Sequence, residues 1–272
     1  MYSDWSTTDA REPGERKILS ILGIEYPFRY CPPGKYRMLC RQCDDGDKWD
    51  CEASFIATLT RGFWTLETEI TQEMWSSVME KNPSKNDIGP RRPVNSVSWN
   101  ECADYVCRLN GRGFAPETLR FSLPTEAQWE YAMRAGEDGD HWKLKEIGGL
   151  YPNVGEAPNR WGLFSLTEFQ AGEAIAAGKH SWYALDEWTA DWYEDTPKWN
   201  ENAPDGEWTA LEEGWRTDYT ATDPTGPAEG TERLVRNLRM CDNRRFMPCG
   251  GREGRAPDDP CGGVRLVLVG DR

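Results

Sequence analysis

At 272 residues the chain is long enough for one large domain or two small ones, either with a proper core. Only 38% of residues are hydrophobic, yet 14 Trp, 10 Tyr and 8 Phe carry far more ring surface than a disordered chain does. A net charge of -14 excludes a general nucleic-acid role, which needs a basic surface.

Residues 1–20 are polar and lack the apolar stretch of a secretory signal, and no window approaches the roughly 20 apolar residues of a membrane helix. Nine cysteines, an odd number without a signal, favour a reducing, cytoplasmic setting with mostly free thiols. Residues 1–24 read as an N-terminal arm, with a short helix around 17–22, and residues 25–272 as one domain. Within 28–38, Pro32-Pro33-Gly34 is a turn between two strands. Residues 54–66 alternate as a strand should, with Phe55, Ala57, Leu59 and Phe63 on one face.

Three helices are signalled by their caps. Thr71 precedes the first, and Asn82-Pro83 stops it. Ser98 precedes the second, where Trp99, Cys102, Ala103, Val106, Cys107 and Leu109 supply the apolar positions; Cys102 and Cys107 read as core. Thr125 caps the third, with Gln128 in its first turn and Trp129, Tyr131 and Met133 beyond. After Gly136 the chain turns loop-rich, with short strands only, so the pattern is α+β with long ordered loops.

Two constellations have chemical potential. Cys31, Cys40, Cys43 and Cys51 have the number of thiolates for a zinc site; three loop thiols and one core thiol is the favoured reading. Arg233, Arg236, Arg239, Arg244, Arg245, Arg252 and Arg255 form a basic block in an acidic chain. Such a block is either a solvated face or an anchor for ligand carboxylates or phosphates.

Several segments, in order, resemble the formylglycine-generating (sulfatase-modifying) family. Residues 28–38 resemble its opening strand pair. Glu69-Ile70-Thr71-Gln72 with Trp75, Asn82-Pro83-Ser84, and Pro93-Val94-Asn95-Ser96-Val97-Ser98-Trp99 match its next landmarks. The strongest resemblance is Leu123-Pro124-Thr125-Glu126-Ala127-Gln128-Trp129-Glu130-Tyr131-Ala132, and Gly263-Val264-Arg265-Leu266-Val267 resembles the closing motif. The resemblance implies a C-type-lectin-like α+β fold: short helices on small twisted antiparallel sheets, with long ordered loops.

The family's oxidases bind copper(I) through two nearby C-terminal cysteines, as a soft ion prefers. Cys241 stands where the first would be. The second falls at residues 244–246, where there is none; Cys249 is the nearest thiol, and the glycines and serine that precede the pair are replaced. Copper is therefore not expected. The resemblance also implies a structural calcium, for which Glu187, Asn153 and Val154 are the candidate ligands.

Relatives in this superfamily include retroelement-diversified variable proteins that display changing side chains between the two closing motifs. Residues 237–262 occupy that position and show no secondary-structure periodicity. They point to a non-catalytic protein that binds a protein or other macromolecule through Asn237, Arg239, Asp242, Asn243, Arg245 and Phe246. The alternative is a copper-dependent formylglycine-generating oxidase, or an accessory protein-modifying factor with rearranged thiols, in which Cys241 is catalytic.

Overall fold

The computed structural model describes residues 5, 7, 11–42, 52–85, 89–137, 158–164, 185–194, 209–211, 214–241 and 245–270; at 39–42, 52–54, 209–211, 214–219, 237–241 and 245–251 it describes the backbone alone. The chain begins with strands β1 (Arg16–Ile21), β2 (Ile24–Cys31), β3 (Gly34–Gln42), β4 (Glu52–Leu59) and β5 (Phe63–Leu66). Helices α1 (Gln72–Met79) and α2 (Trp99–Gly111) follow, then β6 (Leu119–Ser122) and α3 (Glu126–Met133). The C-terminal part contributes β7 (Glu187–Trp192), β8 (Thr209–Leu211), β9 (Gly214–Thr222), β10 (Arg233–Cys241), β11 (Arg245–Arg255), β12 (Gly263–Val264) and β13 (Val267–Gly270).

These strands make three sheets. The first, ordered β1-β2-β5-β13-β6, is antiparallel throughout. The second, β11-β10-β7-β12, and the third, β3-β4-β9-β8, each contain one parallel pairing, β7 with β12 and β4 with β9. Short helices packed on small sheets give the expected α+β, lectin-like architecture.

Strand alternation in the first sheet divides the core. Trp64 and Leu268 pack on one face with Phe28, Trp75, Tyr105 and Phe121, beneath α1 and α2. Their neighbours Phe63 and Val267 pack on the other face with Tyr36, Trp129 and Trp161, beside α3. Each fully buried aromatic ring contributes roughly 1.5–3 kcal/mol, which is how a polar chain holds so many loops in place.

All three helix caps are as the sequence indicates. Thr71 accepts from the Met74 N–H. Ser98 and Glu101 form a reciprocal capping box on α2, and Thr125 and Gln128 form one on α3.

Elsewhere the structure corrects the sequence reading. Residues 17–22 are not helical: 17–21 lie in β1, with Leu19 and Ile21 buried at a period of two, and Leu22 begins the turn after it. The strand turns through Leu22 and Gly23, at φ 52° and 82°, into β2. Positive φ at both positions is the two-residue turn whose twist suits a hairpin. The 54–66 strand is two strands in different sheets, broken at 60–62. Likewise the turn at Pro32-Pro33 carries the chain from the first sheet to the third instead of closing a hairpin. Cys102 is buried as expected, but Cys107 is exposed. Finally, the region after Gly136, expected to hold short strands only, contains strands of nine and eleven residues, β10 and β11, and much of residues 237–262 is their hairpin.

Candidate functional site: a hairpin on a buried ionic root

The hairpin's root is fixed by α3. Glu126, Glu130 and Arg134 follow one another at intervals of four, so they share one helix face. That face is fully buried. From β10, Arg236 reaches both carboxylates: one guanidinium nitrogen donates to Glu126 Oε1 and the other to Glu130 Oε2 at 3.0 Å. From β11, Arg252 donates to both oxygens of Glu126, at 2.5 and 3.1 Å. Arg134 closes the set by donating to Glu130 at 2.8 Å. Burial alone would push the Glu126 carboxyl up, but Arg252 and Arg236 outweigh it and hold the group below the usual carboxylate range.

Asp191, on β7, sits beside this network. Burial, reinforced by the charge of Glu126, pushes its carboxyl up to about 8, so it is protonated at neutral pH. Its Oδ2 accepts the Glu126 N–H at 2.7 Å, while Oδ1 has no hydrogen-bond partner among the described residues. On the outer side, the Arg233 guanidinium lies between two indoles, 3.8 Å from the Trp99 ring centre and 3.3 Å from that of Trp192. It also donates to the Ala190 carbonyl at 2.7 Å. Arg252 lies 5.6 Å from the Tyr193 ring.

The basic block thus fits neither of its two sequence readings at its root. Arg236 turns inward to clamp α3, Arg252 does the same while partly buried, and Arg233 is stacked. The sequence signal for this was the acidic, four-residue spacing on α3, legible only once that face is known to be buried.

Beyond the root the hairpin carries the candidate contact residues. Asn237 and Arg239 lie on β10, Arg245 and Phe246 on β11; Asp242 and Asn243, between the strands, lie outside the described residues. Met240 pairs with Phe246 and Cys241 with Arg245 in the register. That register also tests the copper site. It passes from Asn237–Gly251 to Arg239–Met247, so Pro248, Cys249 and Gly250 all stand opposite Leu238. Cys241 is three residues further along, roughly 10 Å at a rise of about 3.3 Å per residue. The two cysteines therefore stand at different positions along the hairpin.

The calcium candidate Glu187 is engaged elsewhere. Arg265 donates to both its oxygens at 3.1 Å, and the Trp129 indole N–H donates to Oε2 at 2.9 Å. A carboxylate already facing a guanidinium and an indole does not suit a cation. Asn153 and Val154 lie outside the described residues, as do Cys43 and Cys51 of the thiol group. Among the described residues no three His, Cys, Asp or Glu side chains gather for a metal. No helix among them is long and apolar enough to cross a membrane.

Residues 31–267 match the sulfatase-modifying factor enzyme 1-like domain. The chain belongs to this family. The formylglycine-generating enzyme of Streptomyces coelicolor is 27% identical over 203 residues, covering 67% of this chain and 54% of that protein. The Bos taurus enzyme of the same name is 27% identical over 201 residues, covering 67% and 45%. The chain therefore spans about half the length of the curated relatives it matches.

Two solved structures share the family's fold. Treponema denticola variable protein 1 superposes with a TM-score of 0.60 at 20% identity, over 93% of this chain and 98% of that one. PvdO from Pseudomonas aeruginosa gives 0.56 at 18% identity, over 95% and 99%.

Proposed function

We propose that the protein is a non-catalytic member of its family that binds a macromolecular ligand through the outer part of the β10–β11 hairpin. One observation carries this reading: the segment that would hold the oxidase thiols is a hairpin clamped at its root by Arg236 and Arg252 on α3, with its two cysteines at different registers. A rigid root with a polar, arginine-bearing outer part is a platform for contact residues. Asn237, Arg239, Asp242, Asn243, Arg245 and Phe246 are the proposed contacts, and the ligand is a protein or comparable macromolecule. The likeness to a variable protein is a likeness of fold.

The test has two arms. A photo-crosslinking residue placed at Phe246 should capture a discrete partner in an extract of the source cells, while the same residue at exposed Leu22 should not. In parallel, copper(I) titration of the reduced chain should show no tight binding that Cys241→Ser abolishes. Equal capture at both positions, or Cys241-dependent copper binding, overturns the reading.

A further inference from the structure

The first sheet ends at β1, whose one strand partner is β2. Just before β1, the Tyr30 N–H donates to the Glu15 carbonyl at 3.0 Å, and bonded positions alternate along an antiparallel pair. Residues 17, 19 and 21 therefore bond β2, while Arg16, Ile18 and Ser20 turn their N–H and C=O groups to the open edge. Pro27 fits this register: it stands opposite Ile18, where β2 directs no N–H toward β1. Among the described residues, nothing pairs with the outward main-chain groups of 16, 18 and 20.

Sheets commonly guard such an edge with a proline, a bulge or a charge. β1 has no proline, and its pairing with β2 runs without a register shift. Lys17 is drawn away from the edge, its ammonium lying 5.7 and 5.4 Å from the Trp5 and Trp64 ring centres. The centre of the edge is apolar. Ile18 is 43% exposed, and Leu22, in the adjoining turn, is 52% exposed; no other large hydrophobic among the described residues is as open.

This edge matches itself. The outward residues 16, 18 and 20 are symmetric about Ile18. A second copy, antiparallel and related by a two-fold axis at Ile18, sets Ile18 against Ile18 and Arg16 against Ser20 on either side. Each outward residue then exchanges both main-chain bonds with the one opposite. Moving the axis by one residue either way leaves Arg16 or Ser20 opposite a residue outside β1 and loses those bonds.

The side chains agree with this register. Cross-strand neighbours share a face, so the central row across the joined sheets reads Pro27, Ile18, then the second copy's Ile18 and Pro27. The flanking rows read Glu25, Ser20, then the second copy's Arg16 and Arg29, acidic at one end and basic at the other. Glu25 is exposed and forms no ion pair among the described residues. Arg16 shows the reach required: within its own chain it crosses β2 to Glu67 at 2.8 Å. Glu67 keeps Arg29, at 3.0 Å, if Arg16 swings outward.

We infer that the protein forms a two-fold dimer through β1, its first sheet continuing into that of a second copy across Ile18. The shared edge is short, so the dimer is a transient one that forms with rising concentration. The crosslinking residue at Leu22, beside this edge, would capture a second copy of the chain and no other protein.

Sedimentation velocity of the full chain, from about 1 μM to about 300 μM, should show monomer passing into dimer. Ile18→Lys sets like charges against each other at the axis and should leave monomer alone. Glu25→Arg should weaken association about tenfold, because it faces the second copy's Arg16 in both flanking rows. Adding Arg16→Glu exchanges the charges and should restore most of the loss. All three side chains are exposed, and melting temperatures near that of the parent confirm that each variant is folded. A parent that stays monomeric throughout overturns the proposal and leaves the edge to a strand of another protein. A dimer unaffected by Ile18→Lys, or a charge exchange that restores nothing, overturns it equally.

Discussion

Arg236 and Glu126 are fully buried partners 110 residues apart in the chain, and their contact fastens the hairpin to the first turn of α3. Glu126 is shared with Arg252 on the opposite strand of the same hairpin, so a single carboxylate holds both strands. Charges taken out of water at this depth are tolerated only as a complete set. Removing one member leaves the others uncompensated.

Arg236→Met should therefore destabilise the chain by about 3–5 kcal/mol, since Glu126 and Glu130 keep their charges and lose a donor. Arg236→Lys should fall between the two, because it keeps the charge but not the fork that spans two carboxylates. Urea unfolding of the three proteins gives the order. A loss below about 1 kcal/mol for Arg236→Met would mean that Arg252 and Arg134 suffice.

Asp191 makes stability depend on pH with a defined sign. Its folded value of about 8 lies above the unfolded value near 3.9, so the folded state holds a proton that the unfolded state releases. Its contribution is complete below about pH 4 and is lost as pH rises through 8. Asp191→Asn, which imitates the protonated form, should flatten this slope. The variant should gain on the parent by a few kcal/mol, in order of magnitude, between pH 5 and pH 8.5. Unfolding free energies at the two pH values check it; parallel slopes would remove Asp191 as the cause.

The glycines at residues 23 and 62 should respond differently to alanine. A Cβ at Gly62 would fall 2.2 Å from the buried Tyr30 hydroxyl, so Gly62→Ala must displace that ring, at about 1–3 kcal/mol. At Gly23 the space is open, and only the φ of 82° opposes a side chain, which costs roughly 1–2 kcal/mol. Tyrosine fluorescence or NMR should shift for the first variant and not for the second.

Thiol labelling should separate four of the cysteines. Cys107 is exposed and should react first with a maleimide at pH 7.5. Burial raises the Cys31 and Cys102 thiols well above their ordinary value, and burial next to Asp259 pushes Cys261 up to about 12. Cys31 and Cys102 should label only on unfolding and Cys261 slowly, as read by peptide mass spectrometry. Rapid native labelling of Cys102 would contradict the packing beneath α2.

What the sequence disclosed follows the range of the forces involved. Thr71, Ser98 and Thr125 were readable because a cap and its partner lie within four residues. The family landmarks were readable for the same reason, each being a short run of sequence. Residues 17–22 were misread because a brief apolar run suits either period, and a leucine at positive φ gives no warning of a turn. The hairpin was hidden because β10 takes its other partner, β7, from more than forty residues upstream. At the site, the positions of Asn237 and Arg239 in the chain were clear. The inward turn of Arg236 was not, since its partners are a hundred residues away.

The place of β13 in the first sheet bears on how the chain is made. β13 lies between β5 and β6, joining two parts of a sheet whose other strands are synthesised long before it. Until residues 267–270 emerge, that sheet is split and Trp64 and Phe121 lack the strand between them. Completion of the fold is therefore a late, long-range event. A chain lacking β13 would retain every proposed contact residue and still present an open core to proteases and chaperones, so this one short strand decides whether the core is closed.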